Sequence, residues 1–312
     1  QLKKRPPFFL LWKLGYYDEP VLKESAPKDF DYPISDQKLD ATEPSCVWIN
    51  HSTFLINIGG VSILTDPLFS KSCSPISFIG PKRRQKPAIE LEDLPKIDFI
   101  LISHNHYDHL DKSALKKLVC LFPDVKIIVP LGDKKWMQKK IKTKNIYEFD
   151  WWKSHLFKNN DFSINVTSVP SQHFSGRSLF DFNKSLWSGY VLEFNFKDNI
   201  IKKLYFCGDS GYNEYDFKMI GQRFKSIDLS LIPIGTYLPR KFMKPVHVNP
   251  KEALQIHLDT NSKFSIGMHW KTFHLSDEGK DMPPYELYLA MKEENLDLRS
   301  FVALAPGRFI NW

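Results

Sequence analysis

The chain is poor in cysteine, has no long apolar run and contains no close tandem repeat or low-complexity tract. Its four cysteines, Cys46, Cys73, Cys120 and Cys207, are widely separated and include no C-x-x-C pair. That excludes a thiolate metal cluster and a dense disulfide framework, and it favours a reducing compartment. No apolar run approaches the roughly 18–20 residues that cross a bilayer. FFLLW at 8–12 is the longest such run near the start, and Lys13 closes it. The chain therefore reads as cytoplasmic or peripherally membrane-associated, without a transmembrane helix. Because residue 1 is Gln, a targeting signal ahead of it stays open.

What is present is enough for a full core. The 312 residues are 42% hydrophobic and 14% aromatic, which suits one large α/β domain or two smaller ones. Lys and Arg exceed Asp and Glu by 43 − 36 = 7, a surplus that favours anionic partners without choosing among them. Residues 1–45 mix proline, charge and aromatics with no lasting period and read as an arm laid over the remainder, 46–312. From about residue 46 the chain becomes a series of short β-like runs, among them CVWIN, STFLINI, VSILTD, KIDFILIS, VKIIVP, DFSINVTSV, SGYVLEFNF, KKLYFCGD, DLSLIPIG, KFSIGMHW and FVALA. Helical patterns lie between some of them: KSALKKLVCLF, DKKWMQKKIK, NPKEALQIHLD and PPYELYLAMKEE. The third opens with Asn249, Pro250 and Glu252, suited to N-cap, first-turn and capping-box positions. Hairpin-rich strands followed by strand–helix alternation predict sheets covered by helices. The basic stretches KKWMQKKIKTK at 134–144 and KRR at 82–84 read first as solvated faces and second as contacts for an anionic surface.

The chemistry concentrates in SHNHYDHLDKS at 103–113, directly after the apolar IDFILI. Imidazole nitrogens and carboxylate oxygens are the usual non-thiol ligands of zinc. In an extended segment His104 and His106 project to one side. A turn at Tyr107–Asp108 then swings Asp108 and His109 towards a second point, so one loop can serve two adjacent ions. Asp111 suits the N-cap of the following helix. His173, Asp209 and His269 each also follow an apolar run, where open α/β sheets place their sites. His51 opens STFLINI, and His247 precedes a helix cap; both read as groups supporting the site from behind. His155, His257 and His274 default to structural or surface roles. GDSGY at 208–212 imitates a serine-protease nucleophile segment, but no partner segment supplies a base for Ser210, and Asp209 has a better use among metal ligands.

The order His104-x-His106-x-Asp108-His109, then His173, Asp209 and His269, resembles the metallo-β-lactamase superfamily, whose fold is an α/β four-layer αββα sandwich with the metals at one edge of two sheets. The segments ILTDPLFS, GPKRR, LISHNHYDHLD, FDWW, PSQHFSGRSL, CGDSGY, IPIGTYLPRKFM, HVNPKEA and MHWKTF look, more narrowly, like those of N-acylphosphatidylethanolamine-hydrolysing phospholipases D, from about 46 to 275. The resemblance implies one Zn²⁺ on His104, His106 and His173 and a second on Asp108, His109 and His269, with Asp209 bridging; Mn²⁺ or Fe²⁺ also suit such ligands. It implies that Asp66 supports the metal loop and that Tyr107 and Arg177 bind substrate. The N-terminal arm does not align with the family.

The implied reaction is hydrolysis of a phospholipid phosphodiester by a metal-bridging hydroxide oriented by Asp108 and Asp209, giving an N-acylethanolamine and a phosphatidic acid. FFLLW, Tyr16 and Tyr17 among Lys3, Lys4, Arg5 and Lys13 suit a headgroup region, so the arm is expected to contact membrane or to pack on the protein itself. The rivals are a lactonase or small-molecule phosphodiesterase on the same fold and a nucleic-acid-processing metallohydrolase; no nucleic-acid partner is expected, because no set of stacking aromatics demands one. A binding module with a structural metal is disfavoured, since structural zinc is normally closed by four protein ligands. The related enzymes suggest a homodimer.

Overall fold

The computed structural model describes residues 25–28, 30, 40, 42–75, 80–158, 162–178, 180–196 and 201–312. Fourteen strands form two seven-stranded sheets among these residues. The first contains β1 (Ser45–Asn50), β2 (Thr53–Ile58), β3 (Val61–Thr65), β4 (Phe99–Leu101), β5 (Lys126–Pro130), β6 (Ile146–Phe149) and β14 (Phe309–Asn311) in the order β14-β1-β2-β3-β4-β5-β6. The second contains β7 (Ser154–Lys158), β8 (Phe162–Val169), β9 (Gly189–Phe196), β10 (Ile201–Phe206), β11 (Ile227–Pro233), β12 (Ser262–Met268) and β13 (Phe301–Val302) in the order β13-β12-β11-β10-β9-β8-β7. Each sheet has an antiparallel half joined to a parallel half, the change falling at β3 in one and β10 in the other.

Strand periodicity sorts the core. Along β4 and β5, Phe99, Leu101 and Ile128 point between the sheets, whereas Ile100, Ile102, Ile127 and Val129 point outwards. The outward set is covered by α1 (Lys112–Leu121), through Ala114, Leu115 and Leu118, and by α2 (Lys134–Ile141), through Met137 and Ile141. The second sheet is joined in the same way to α3 (Glu214–Phe224), α5 (Pro250–Asp259) and α6 (Met282–Glu293), with the one-turn α4 (Arg240–Met243) before α5. The layers are thus helix, sheet, sheet, helix, the expected αββα sandwich.

The predicted capping box is present: Asn249 Oδ1 accepts from Glu252 N at 2.9 Å, and Glu252 Oε2 accepts from Asn249 N at 3.1 Å. Helix α3 was not expected. Its Gly221 interrupts the apolar pattern, yet a Cβ there would collide with the carbonyl of Asp259, so glycine is what lets α3 meet the end of α5. The edge strands β6, β7 and β14 were also not anticipated; β7 is exposed at four of its five positions and carries little apolar signal. The arm residues expected to touch membrane, FFLLW, Tyr16, Tyr17 and the lysines and arginine beside them, lie outside the described residues. No helix among the described residues is long and apolar enough to cross a membrane.

Candidate metal centre

The H-x-H-x-D-H segment leaves β4 and ends on α1. Asp111 caps that helix, accepting from Ser113 N at 3.0 Å and Ala114 N at 3.2 Å, and its other oxygen accepts from Phe69 N and Ser70 N. Between these anchors the chain turns tightly, with His109 N and Leu110 N both donating to His106 O. The turn falls at Tyr107–Asp108. His173 lies beyond the carboxyl end of β8, Asp209 beyond β10 and His269 directly after β12. Gly208, at φ +64°, brings Asp209 against the first sheet, for a Cβ there would stand 2.7 Å from that of Ser103.

Seven predicted ligands converge at this sheet edge. His106 Nδ1 lies 2.8 Å from His104 Nε2 and 3.2 Å from His173 Nε2. On the other side, Asp108 Oδ2 lies 3.4 Å from His269 Nε2 and 3.5 Å from His109 Nε2. Asp209 Oδ2 stands between the groups, 3.1 Å from both His109 and His269 and 3.9–4.0 Å from His173 and His104. Ligand atoms on one zinc at about 2.1 Å stand roughly 3–3.5 Å apart, so these spacings fit metal ligation. Nε2 of His109, Nε2 of His269 and Oδ1 of Asp209 are also buried without a hydrogen-bond partner. Buried polar atoms without a partner are costly unless something unites them; a cation would do so.

The outward ring nitrogens are already satisfied. Nδ1 of His109 meets Asp66 Oδ2 at 2.6 Å, that of His104 meets Ser103 Oγ at 2.9 Å, that of His173 meets Val246 O at 2.9 Å and that of His269 meets Thr236 Oγ1 at 3.1 Å. With Nδ1 engaged, each of these four rings aims Nε2 at the centre. His106 is the exception and turns Nδ1 inwards.

Protein charges alone divide the cluster. Burial, reinforced by neighbouring imidazoles, pushes His104 well below its usual range and His106 to about 3. Burial likewise takes His173 to about 4. Burial opposes charge on His269 too, but Asp209 and Asp108 push it up to about 9, and Asp209, Asp108 and Asp66 similarly raise His109. Burial disfavours charge on Asp108 and Asp209 as well, yet the imidazoles facing them hold both carboxyls well below the ordinary range. One side thus presents neutral nitrogen lone pairs, while on the other the carboxylates hold protons on His109 and His269 that a bound cation would displace.

The remaining predicted residues fall around this cluster. His51 Nε2 touches Asp108 Oδ2 at 3.2 Å, and its carbonyl accepts from His269 N at 3.0 Å. His247 Nδ1 lies 3.9 Å from Asp209 Oδ2, and its ring sits 5.0 Å from that of His173. Tyr107 and Arg177 line a cleft of about 910 Å³ beside the loop. Tyr107 OH donates to Arg177 O at 2.9 Å, and Arg177 Nη1 donates to Asn105 O at 2.6 Å and Leu110 O at 2.9 Å. Its guanidinium thus clasps the metal loop, a connection the sequence did not disclose. Ser210 is buried and bonds only backbone, accepting from Gln172 N and donating to Gly211 O. Arg83, expected on a solvated face, instead fastens the loop after β3 through Leu68 O and Ser70 O.

Sequence reading missed Ser103, Thr236 and Asn105. Ser103 adjoins His104 and was open to notice; Thr236 reaches His269 only through the fold. Asn105 bonds outside the ligand cluster, donating to Asp133 Oδ1 and Ser185 Oγ and accepting from Gly176 N.

The model of the beta-lactamase superfamily domain matches residues 62–270. The chain belongs to the beta-lactamase superfamily. It is 39% identical over 266 residues to N-acyl-phosphatidylethanolamine-hydrolyzing phospholipase D 1 of Caenorhabditis elegans, covering 83% of this chain and 73% of that protein. It is 39% identical over 236 residues to the mitochondrial enzyme of that name from Saccharomyces cerevisiae, covering 74% of this chain but only 48% of the yeast protein. Among solved structures, an isothiocyanate hydrolase from Delia radicum gut bacteria aligns with a TM-score of 0.63 at 16% identity, covering 86% of this chain and 98% of that one. A metallo hydrolase of Ignicoccus hospitalis aligns at 0.60 and 19% identity, covering 87% and 99%. These last two likenesses concern the fold alone. With its relatives and its His/Asp cluster, this superfamily member is a metal-dependent hydrolase.

Proposed function

We propose that this protein is a zinc-dependent phosphodiesterase of phospholipase D type, hydrolysing N-acylphosphatidylethanolamine-like lipids to an N-acylethanolamine and a phosphatidic acid. One observation carries the metal part: Asp209 Oδ2 lies within 4.0 Å of imidazoles from both groups of ligands. The lipid part rests on the 39% identity to proteins named for that reaction. His104, His106 and His173 would hold one ion, Asp108, His109 and His269 a second, with Asp209 common to both. Two bound ions supply a Lewis acid for the phosphoryl oxygen and a lowered pKa for a shared water.

The chain's own residues do the rest. Asp108, touched by His51, and Asp209, touched by His109 and His269, orient the nucleophile. Asp209 Oδ1, buried with no hydrogen-bond partner, is the oxygen that would accept a proton from it. The Arg177 clasp keeps the loop in shape while substrate binds.

The test is release of N-acylethanolamine from N-acylphosphatidylethanolamine in detergent micelles, with and without zinc, beside Asp209→Asn. Zinc-dependent release that falls at least about a hundredfold in the variant is expected. If fully metallated protein releases nothing yet cleaves a lactone or a soluble phosphodiester, the lipid assignment is wrong while the hydrolase fold stands.

A further inference from the structure

Glu278 lies between β12 and α6, outside the ligand cluster, yet its carboxylate closes on the backbone that backs His269. Oε1 accepts from Thr236 N at 2.6 Å and from Ser276 Oγ at 2.6 Å, and Oε2 accepts from Leu238 N at 3.0 Å. Asp277 N returns a bond to Leu238 O at 3.3 Å. The segments 236–238 and 276–278 are thus clasped through both side chain and backbone. The proposed chemistry gives Glu278 no part.

What the clasp holds is an unfavourable backbone. Ile234 N still pairs with Met268 O at 3.0 Å, but beyond it the chain leaves the sheet. Gly235 runs so close to His269 that a Cβ there would collide with the His269 carbonyl oxygen. Thr236 then takes φ +65°, the left-handed region that β-branched residues avoid. Such conformations persist where surrounding bonds over-determine them, and they cluster at functional sites. In that conformation Thr236 Oγ1 stands 3.1 Å from His269 Nδ1. His269 is itself at φ +65°, with its N donating to His51 O at 3.0 Å. Its backbone and the outer nitrogen of its ring are therefore held by different segments, and Nε2 faces Asp108 and Asp209.

From this chain of contacts we infer that Glu278 is a positioning residue for the metal on His269. It holds Thr236 in the left-handed region, so that the hydroxyl accepts the Nδ1 proton and Nε2 is kept for the ion. The inference rests on His269 being a metal ligand, as proposed above, and not on the lipid substrate. Gln at 278 would keep the volume but turn an amide nitrogen towards one of the two backbone donors, since each carboxylate oxygen receives one.

The test is calorimetric titration of Zn²⁺ into the metal-free full chain, with the melting temperature of each variant establishing that it is folded. The parent should take up two ions, and His269→Ala should identify the one that His269 holds. Glu278→Gln should weaken that ion about 10–100-fold and leave the other unchanged. Glu278→Asp, a milder change that keeps the charge but withdraws the carboxylate, should act in the same direction. Thr236→Val, which loses only the hydroxyl, should match Glu278→Gln, whereas Thr236→Ser should bind as the parent does. In the Thr236→Val background, Glu278→Gln should cost the metal nothing further, because it acts through that hydroxyl. In nitrogen-15 spectra of the zinc-loaded parent the Nδ1 proton of His269 should be protected from exchange, and in Thr236→Val it should exchange faster. Glu293→Gln, at the last residue of α6, should change neither ion. Parent-like binding of both ions by folded Glu278→Gln or Thr236→Val would overturn the inference, as would an equal weakening of both ions. If His269→Ala keeps both ions, the ligand assignment falls and the inference with it, whatever lipid is cleaved.

Discussion

The carboxylate of Asp66 takes three hydrogen bonds at once, from Ser103 N at 2.7 Å, Ser103 Oγ at 2.6 Å and His109 Nδ1 at 2.6 Å. Ser103 Oγ in turn meets His104 Nδ1, so a single buried carboxylate sets the orientation of one imidazole from each side of the cluster. Asp66→Asn keeps the volume but loses the anionic acceptor. A fall of about 10–100-fold in metal affinity is expected, read by titrating metal into the folded variant while its melting temperature is followed. Unaltered affinity would mean that packing alone aims His109. Asp66 was legible through the family resemblance that TDP carries. Thr236, which performs a comparable service for His269, was not, because 33 residues separate the two and no local pattern connects them.

Among the elements, α1 depends most on one side chain. Asp111 ends the metal loop, starts the helix and ties both to Phe69 and Ser70 after β3. Asp111→Ala removes the cap and leaves buried amides unpaired, an expected loss of about 1–3 kcal/mol in the urea unfolding free energy. The carboxyl also couples the helix to acidity. Burial works to raise its pKa, but hydrogen bonds from Ser113, Ser70 and Ala114 outweigh burial and lower it below the ordinary value. The unfolded chain therefore protonates first, and stability present above about pH 4 is lost as pH falls through the folded pKa. The Ala variant should lack that part of the acid loss. The cap itself was readable from LDKSALKKL, whereas its grip on Phe69 and Ser70 was not, since it joins segments about forty residues apart.

At the scale of the whole molecule, burial of neutral histidine makes global stability sensitive to mild acid. His257 packs inside α5 with Nδ1 2.7 Å from Ser265 Oγ, and burial lowers its pKa to about 4. Between the unfolded value near 6.5 and about 4, the unfolded chain binds a proton that the native state does not, so stability falls as pH falls. From about pH 7 to about pH 5 this one group should cost about 2 kcal/mol. His257→Gln should lose correspondingly less than the parent when urea midpoints are compared at the two pH values. An identical loss in both proteins would assign the acid sensitivity to other groups. The sequence leaves His257 to a structural or surface role, and only packing shows that it is buried.

The sequence by itself determined the candidate metal-binding loop, because residue type and the tight H-x-H-x-D-H spacing are local properties; His173, Asp209 and His269 each follow an apolar run, and the family resemblance singled them out. It also determined most of the alternation of strands and helices, since periods of 2 and 3.6 record which face is buried. Tertiary structure decided where distant segments meet: Asp209 between the two ligand groups, the Arg177 clasp on the loop, the contact of α3 with α5 through Gly221, and the grip of Glu278 on Thr236. Those relations depend on the relative placement of layers, and a one-dimensional pattern of hydrophobicity and charge does not encode the distance between residues far apart in the chain.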